Sequence, residues 1–265
     1  MDGEPKLFDS HAHLNDKKLY GDLDGVLDRA AEAGVIRILN AGADWPSSLM
    51  SVRLAEKYPD QIFAAVGIHP HDAKTLTEEM LQKLMKLAEA PEVVAWGEIG
   101  LDYYRDLSPR EVQQSAFIAQ IAAAKAAKKP IIIHDRDAHG DILRIVRQER
   151  AGENGGVFHC FSGSWEMAKE CLKMGFMISF AGPLTFTNSP KLSEVAAKAP
   201  PDMMLVETDS PYLSPHPYRG KINEPARVSI VAKRLAEIRG QSYQEIAEIT
   251  TQNTLRMLHK SNKTC

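Results

Sequence analysis

The motifs that mark the commonest enzyme classes are missing from this 265-residue sequence: it has no G-x-G-x-x-G dinucleotide loop, no Walker A loop, no G-x-S-x-G elbow and no H-E-x-x-H. Those absences remove the usual Rossmann, P-loop, α/β-hydrolase and zincin readings. Cysteine is scarce. Cys160, Cys171 and Cys265 make an odd total of three with no C-x-x-C, which implies neither a disulfide framework nor a zinc finger. No apolar run approaches membrane-spanning length, and the opening Met1-Asp2-Gly3-Glu4-Pro5-Lys6 carries no apolar leader core. The expectation is a soluble, cytoplasmic protein of a reducing compartment, monomeric and without a membrane partner. Excess basic charge is also lacking: the formal net charge is -3, which argues against nucleic-acid binding through overall basicity but leaves a local basic rim open.

What is present is an unbroken alternation of strand and helix patterns. Short apolar runs at 35–39, 62–66, 93–96, 130–133, 156–158, 176–180 and 203–206 follow a first one at Leu7-Phe8, and helical periodicity separates each from the next. Alternating β and α units imply a parallel sheet with right-handed crossovers, and eight of them in roughly 250 residues fit an α/β fold of the (β/α)8 TIM-barrel type. One domain over residues 1–265 is expected. An open doubly wound sheet is the alternative, but it usually carries the glycine-rich loop that is absent here.

The chemistry-bearing residues fall on that map in a regular way. In Phe8-Asp9-Ser10-His11-Ala12-His13-Leu14, the two histidines stand two residues apart, so strand alternation points both imidazoles into one space. His69, Glu98, His134, His159 and Asp209 follow later apolar runs, so each is placed at the C-terminal end of its strand, where barrel active sites lie. Taken singly, each is as well read as a satisfied histidine or a capping carboxylate. Together they would meet in one mouth, and polar groups do not gather there without use. Four histidines (His11, His13, His134, His159) with Glu98 and Asp209 exceed what one zinc takes, and they suit two divalent ions sharing a bridging carboxylate. Glu98 is the best bridge. By alternation, Asp9 is expected one pleat deeper, accepting a ligand N–H.

Six motifs in order then resemble the TatD family of metal-dependent hydrolases: Asp9-Ser10-His11-Ala12-His13, Gly67-Ile68-His69-Pro70-His71, Gly97-Glu98-Ile99-Gly100-Leu101-Asp102-Tyr103-Tyr104, Ile133-His134-Asp135-Arg136, His159-Cys160-Phe161-Ser162-Gly163 and Glu207-Thr208-Asp209-Ser210-Pro211-Tyr212-Leu213. The loop Arg219-Gly220-Lys221-Ile222-Asn223-Glu224-Pro225 is similar to that family's as well. The resemblance implies an amidohydrolase-like barrel, two divalent ions per chain (Mg, Mn or Zn) and, for several members, deoxyribonuclease activity. It further implies His11, His13, Glu98 and Asp209 around one ion, and Glu98, His134 and His159 around the other.

Around the expected mouth lie His69, Arg136, Arg219 and Lys221, candidates to bind a phosphate, while Arg105 reads as solvated. The function expected is hydrolysis of phosphodiester bonds in DNA, from an end, with Glu98 holding the ions and Asp209 as proton acceptor. The alternatives are hydrolysis of a small-molecule or RNA-linked ester or amide, and a non-catalytic metal-stabilised scaffold.

Overall fold

Apolar runs rich in Ile, Val and Ala form eight strands: β1 (Leu7–Ala12), β2 (Val35–Ala41), β3 (Ile62–Val66), β4 (Val93–Asp102), β5 (Ile131–Arg136), β6 (Gly156–Phe158), β7 (Met177–Phe180) and β8 (Met204–Val206). The computed structural model describes residues 5–259, so Cys265 lies outside it. All neighbouring strands pair in parallel and in chain order. The seam between first and last is drawn together at the mouth, where Asp209 N–H donates to His11 O (2.9 Å) and His13 N–H to Ser210 O (2.7 Å). The helices are α1 (Lys17–Tyr20), α2 (Leu23–Glu32), α3 (Trp45–Lys57), α4 (Glu78–Leu87), α5 (Arg110–Ala126), α6 (His139–Gln148), α7 (Trp165–Lys173), α8 (Pro190–Lys198), α9 (Val228–Arg239) and α10 (Tyr243–His259). The expected (β/α)8 barrel is observed. No helix among the described residues is long and apolar enough to cross a membrane.

The barrel interior is filled by one side chain from each strand: Phe8, Leu39, Ala65, Ala95, Ile132, Val157, Met177 and Leu205, with Met257 and Leu258 of α10 packed against them. That is the layered filling of a packed barrel rather than a pore. A larger apolar layer lies between the sheet and its helices, with Trp96, Phe117, Phe158, Phe176 and Phe180 buried in it. The chemistry is therefore confined to the C-terminal mouth.

β4 and β5 are among the strands that run further than their apolar runs indicate. Pairing continues through Gly100–His134, Leu101–Asp135 and Asp102–Arg136, so Glu98 and His134 lie inside β4 and β5 rather than just past them. The reason is burial: polar residues that end an apolar pattern keep pairing where the mouth shields them. Gly100 permits the close approach, since it sits at φ +147° and a Cβ there would overlap His134 O.

Candidate metal centre

Glu98 sits at the middle of the mouth with its two carboxylate oxygens turned to different imidazoles. Oε1 lies 2.6 Å from His134 Nδ1 and 2.7 Å from His159 Nε2; Oε2 lies 3.3 Å from His11 Nε2 and 3.4 Å from His13 Nε2. Asp209 Oδ1 faces the second pair, 3.5 Å from His13 Nε2 and 3.8 Å from His11 Nε2. β1, β4, β5, β6 and the turn after β8 thus deliver all six residues to one buried cluster. Asp209 is held there in the left-handed region (φ 55°), which Asp tolerates better than most residues.

The outer ring nitrogens decide which lone pairs face inward. A carbonyl or a carboxylate can only accept, so His13 Nδ1–H donates to Ala41 O (3.1 Å), His134 Nε2–H to Asp102 Oδ2 (3.2 Å) and His159 Nδ1–H to Glu207 Oε1 (3.3 Å). In its neutral form each ring then turns its remaining lone pair to the centre, the arrangement that orients a metal-ligating histidine. His11 differs: its buried Nδ1 has no hydrogen-bond partner among the described residues. Asp9, expected to accept a ligand N–H, instead takes the Thr208 backbone N–H (2.8 Å), the Thr208 hydroxyl (2.5 Å) and the His11 backbone N–H (3.3 Å). It ties β1 to the end of β8 and touches no imidazole nitrogen. The carboxylates in the expected role are Asp102 and Glu207, both fully buried. Glu207 also accepts the Ser179 hydroxyl, and Asp102 also bonds His71 Nε2 at 2.8 Å. Alternation along β4 (Glu98, Gly100, Asp102) and the i, i+2 spacing of Glu207 and Asp209 could have found them.

The donor set fits divalent cations. A tetrahedral ion with bonds of roughly 2.0–2.1 Å to nitrogen needs neighbouring donors roughly 3.3 Å apart. His11 Nε2 and His13 Nε2 are 3.2 Å apart, and His134 Nδ1 and His159 Nε2 are 3.3 Å apart. Burial opposes charge on His13, yet Asp209 and Glu98 outweigh it and push that imidazole up to about 10. Glu98 is likewise buried, but the surrounding histidines, His159 foremost, hold its carboxyl well below the usual range. The cluster is built to keep positive charge beside buried carboxylates, and a cation supplies that charge.

His69 lies 3.6 Å from Glu98 Oε1, close enough to be counted among candidate ligands. Its Nδ1, however, accepts the His71 backbone N–H at 3.1 Å, so in the neutral ring Nε2 carries the hydrogen. Burial, the largest influence, lowers its pKa well below the ordinary value and keeps it neutral. His69 therefore offers the centre a hydrogen-bond donor, not a lone pair. Arg136 ends β5, two residues beyond His134, with its guanidinium 3.9 Å from the Tyr104 ring centroid. Arg219 stacks over Phe186 at 4.3 Å, and Lys221 is exposed on the same connection. Among the described residues no ion pair or side-chain hydrogen bond joins Arg136, Arg219 or Lys221 to the cluster. The structure thus brings His69 to the centre and leaves the three cations on the rim.

Residues 8–259 match the family described as TatD related DNase. The chain is 48% identical over 251 residues to the uncharacterized metal-dependent hydrolase YabD of Bacillus subtilis, covering 95% of this chain and 98% of that one. It is 35% identical over 252 residues to the 3'-5' ssDNA/RNA exonuclease TatD of Pantoea vagans, covering 93% and 97%. Its fold superimposes on the crystal structure of YJJV, a TatD homologue from Escherichia coli K12, with a TM-score of 0.90 at 31% identity, covering 96% and 98%.

Proposed function

The chain belongs to the TatD related DNase family, and from that premise we propose that this metal-dependent hydrolase is a deoxyribonuclease, cleaving phosphodiester bonds in DNA from an end with two divalent ions bound per chain. Residues 1–265 would form the single hydrolase domain. The observation that carries the reading is the placement of Glu98, whose separate oxygens face His134 with His159 and His11 with His13. A bridging carboxylate between two cation positions is what such a pattern provides. The relative named as a 3'-5' ssDNA/RNA exonuclease supports the choice of a nucleic-acid substrate.

In this reading His11, His13, Glu98 and Asp209 hold one ion, and Glu98, His134 and His159 the other. When bound, divalent ions polarise a phosphoryl oxygen and make water nucleophilic near neutral pH. The chain supplies the rest. Asp209, which positive charge at the centre keeps ionised against burial, accepts the proton of the attacking water. The Nε2–H of His69 donates to a non-bridging phosphate oxygen as charge builds on it. Arg136, Arg219 and Lys221 on the rim attract the flanking phosphates.

The test is digestion of end-labelled oligonucleotides in chelator and after adding back Mg, Mn or Zn. Hydrolysis that is lost in chelator and restored by metal is expected. Full activity in protein shown to be metal-free, or no cleavage with any of the ions, overturns the proposal.

A further inference from the structure

The mouth carries a second pattern, made of rings rather than ligands. Among the described residues, every exposed large apolar side chain except Ile36 lies on the connections that follow β1, β4 and β8. Tyr104 is 60% and Tyr212 45% exposed. Exposed rings gathered around one opening, on a surface otherwise polar, mark a recognition site. Tyr104 and Tyr212 are also matched with a cation: Arg136 lies 3.9 Å from the Tyr104 ring centroid, and Lys18 Nζ lies 5.2 Å from that of Tyr212.

Neither Tyr104 nor Arg136 has other visible work. The adjacent Tyr103 is anchored through its hydroxyl, which donates to Asp141 and accepts from Gln114. Tyr104 has no side-chain hydrogen bond, and Arg136 no carboxylate partner, among the described residues. The pair lies at the mouth, since Arg136 ends β5 two residues past His134 and Tyr104 sits in the turn directly after β4. Tyr212 follows β8, four strands round the ring from β4, so it faces the pair from across the mouth. Its ring centroid is 6.0 Å from that of His13, and its hydroxyl is fixed on Asp16 at 2.9 Å.

We propose that Tyr104 with Arg136 on one side of the mouth, and Tyr212 on the other, form a stacking subsite that receives unpaired nucleobases next to the bond being cut. It rests on the nuclease reading above and adds the residues that hold the bases. Ring and cation act together: the ring stacks on a base of any identity, while the guanidinium is free to meet the adjoining phosphate. Stacking needs a base out of its duplex, so the subsite favours frayed or single-stranded ends.

The experiment compares metal-loaded wild type, Tyr104→Ala and Tyr104→Trp on two strands of equal length, one natural and one wholly abasic. Tyr104→Ala is expected to raise KM for the natural strand on the order of tenfold, the scale of one lost base stack, with kcat little changed. Tyr104→Trp should restore it, and on the abasic strand the three proteins should agree. A 2-aminopurine placed at the terminal base should be quenched on binding wild type and much less on binding Tyr104→Ala. Equal KM values on the natural strand, or an equal penalty on the abasic one, would overturn the subsite while cleavage itself leaves the nuclease reading standing. If wild type neither binds nor cuts either strand, that reading falls and the subsite with it.

Discussion

His134 is gripped from both ends by carboxylates, and the outer one is Asp102, whose Oδ2 accepts from His134 Nε2 at 3.2 Å. Asp102 is in turn fixed by the Arg105 backbone N–H (2.7 Å) and by His71 Nε2 (2.8 Å). With so many donors it keeps one position, and so does the ring. Asp102→Ala should therefore weaken metal binding by about 10–100-fold while the barrel stays folded. Calorimetric metal titration checks this, with circular dichroism as the folding control. Unaltered affinity would return Asp102 to a purely structural part.

The division of labour around Glu98 predicts a stoichiometry. Glu98→Ala removes the residue shared by both proposed positions, whereas His134→Ala touches one. The first variant should retain almost no metal and the second about one ion per chain, read by elemental analysis of folded protein. Equal losses in the two would contradict a bridging role.

How far the centre could be read in the sequence depends on the strand. Along β5 the interior residue Ile132 and the site residue His134 have the same parity, and so do Val157 and His159 beyond β6; there alternation alone is sufficient. On β1 and β4 it is not. Phe8 fills the interior although His11 and His13 face the mouth with opposite parity, and Ala95 and Glu98 conflict in the same way. Register shifts within Asp9–Ala12 and Trp96–Ile99 resolve both. A bulge turns consecutive side chains to one face, and no period-2 pattern announces it. The part assigned to Asp9 failed for this reason: alternation across the shifted stretch placed it beneath the ligands. Recurring motifs marked the right residues, but only the structure gives Asp102 and Glu207 their contacts.

Asp9 supplies a pH dependence. Burial, helped by the nearby Glu207 charge, pushes its carboxyl from 3.8 to about 8 against the hydrogen bonds from Thr208. Between those values the folded chain holds a proton that the unfolded chain releases, so this contribution to stability is full below about pH 4 and lost as pH rises through 8. Asp9→Asn cannot titrate. In chelator, its stability relative to wild type should climb from pH 5 to 8 by up to about 1.4 kcal/mol per unit. Urea denaturation at several pH values measures the gap, and parallel curves would refute it.

Arg136 and Arg219 differ from the centre in that, among the described residues, they are unpaired with acids and lie against rings. Replacing either by Ala should weaken oligonucleotide binding and reduce the slope of log K against log salt by about one, with metal content intact. An unchanged slope would make them ordinary surface cations.

Asp209 separates coordination from proton transfer. Its backbone is fixed by the bond to His11 O, and its Oδ1 faces His13 and His11, leaving the other oxygen to a water. Burial opposes its ionisation, but in the metal-free centre its bond to His13 and the charges of the neighbouring histidines prevail and keep it an anion. Asn retains one oxygen in the same place and cannot accept a proton. Asp209→Asn should thus bind metal measurably and turn over at least about a hundredfold more slowly, the low end of what general-base assistance contributes. Asp209→Ala should lose metal as well. Metal occupancy and kcat, measured on the same preparations, distinguish the two roles. Near-normal turnover by Asp209→Asn at near-normal occupancy would leave Asp209 a ligand and assign the proton to another group.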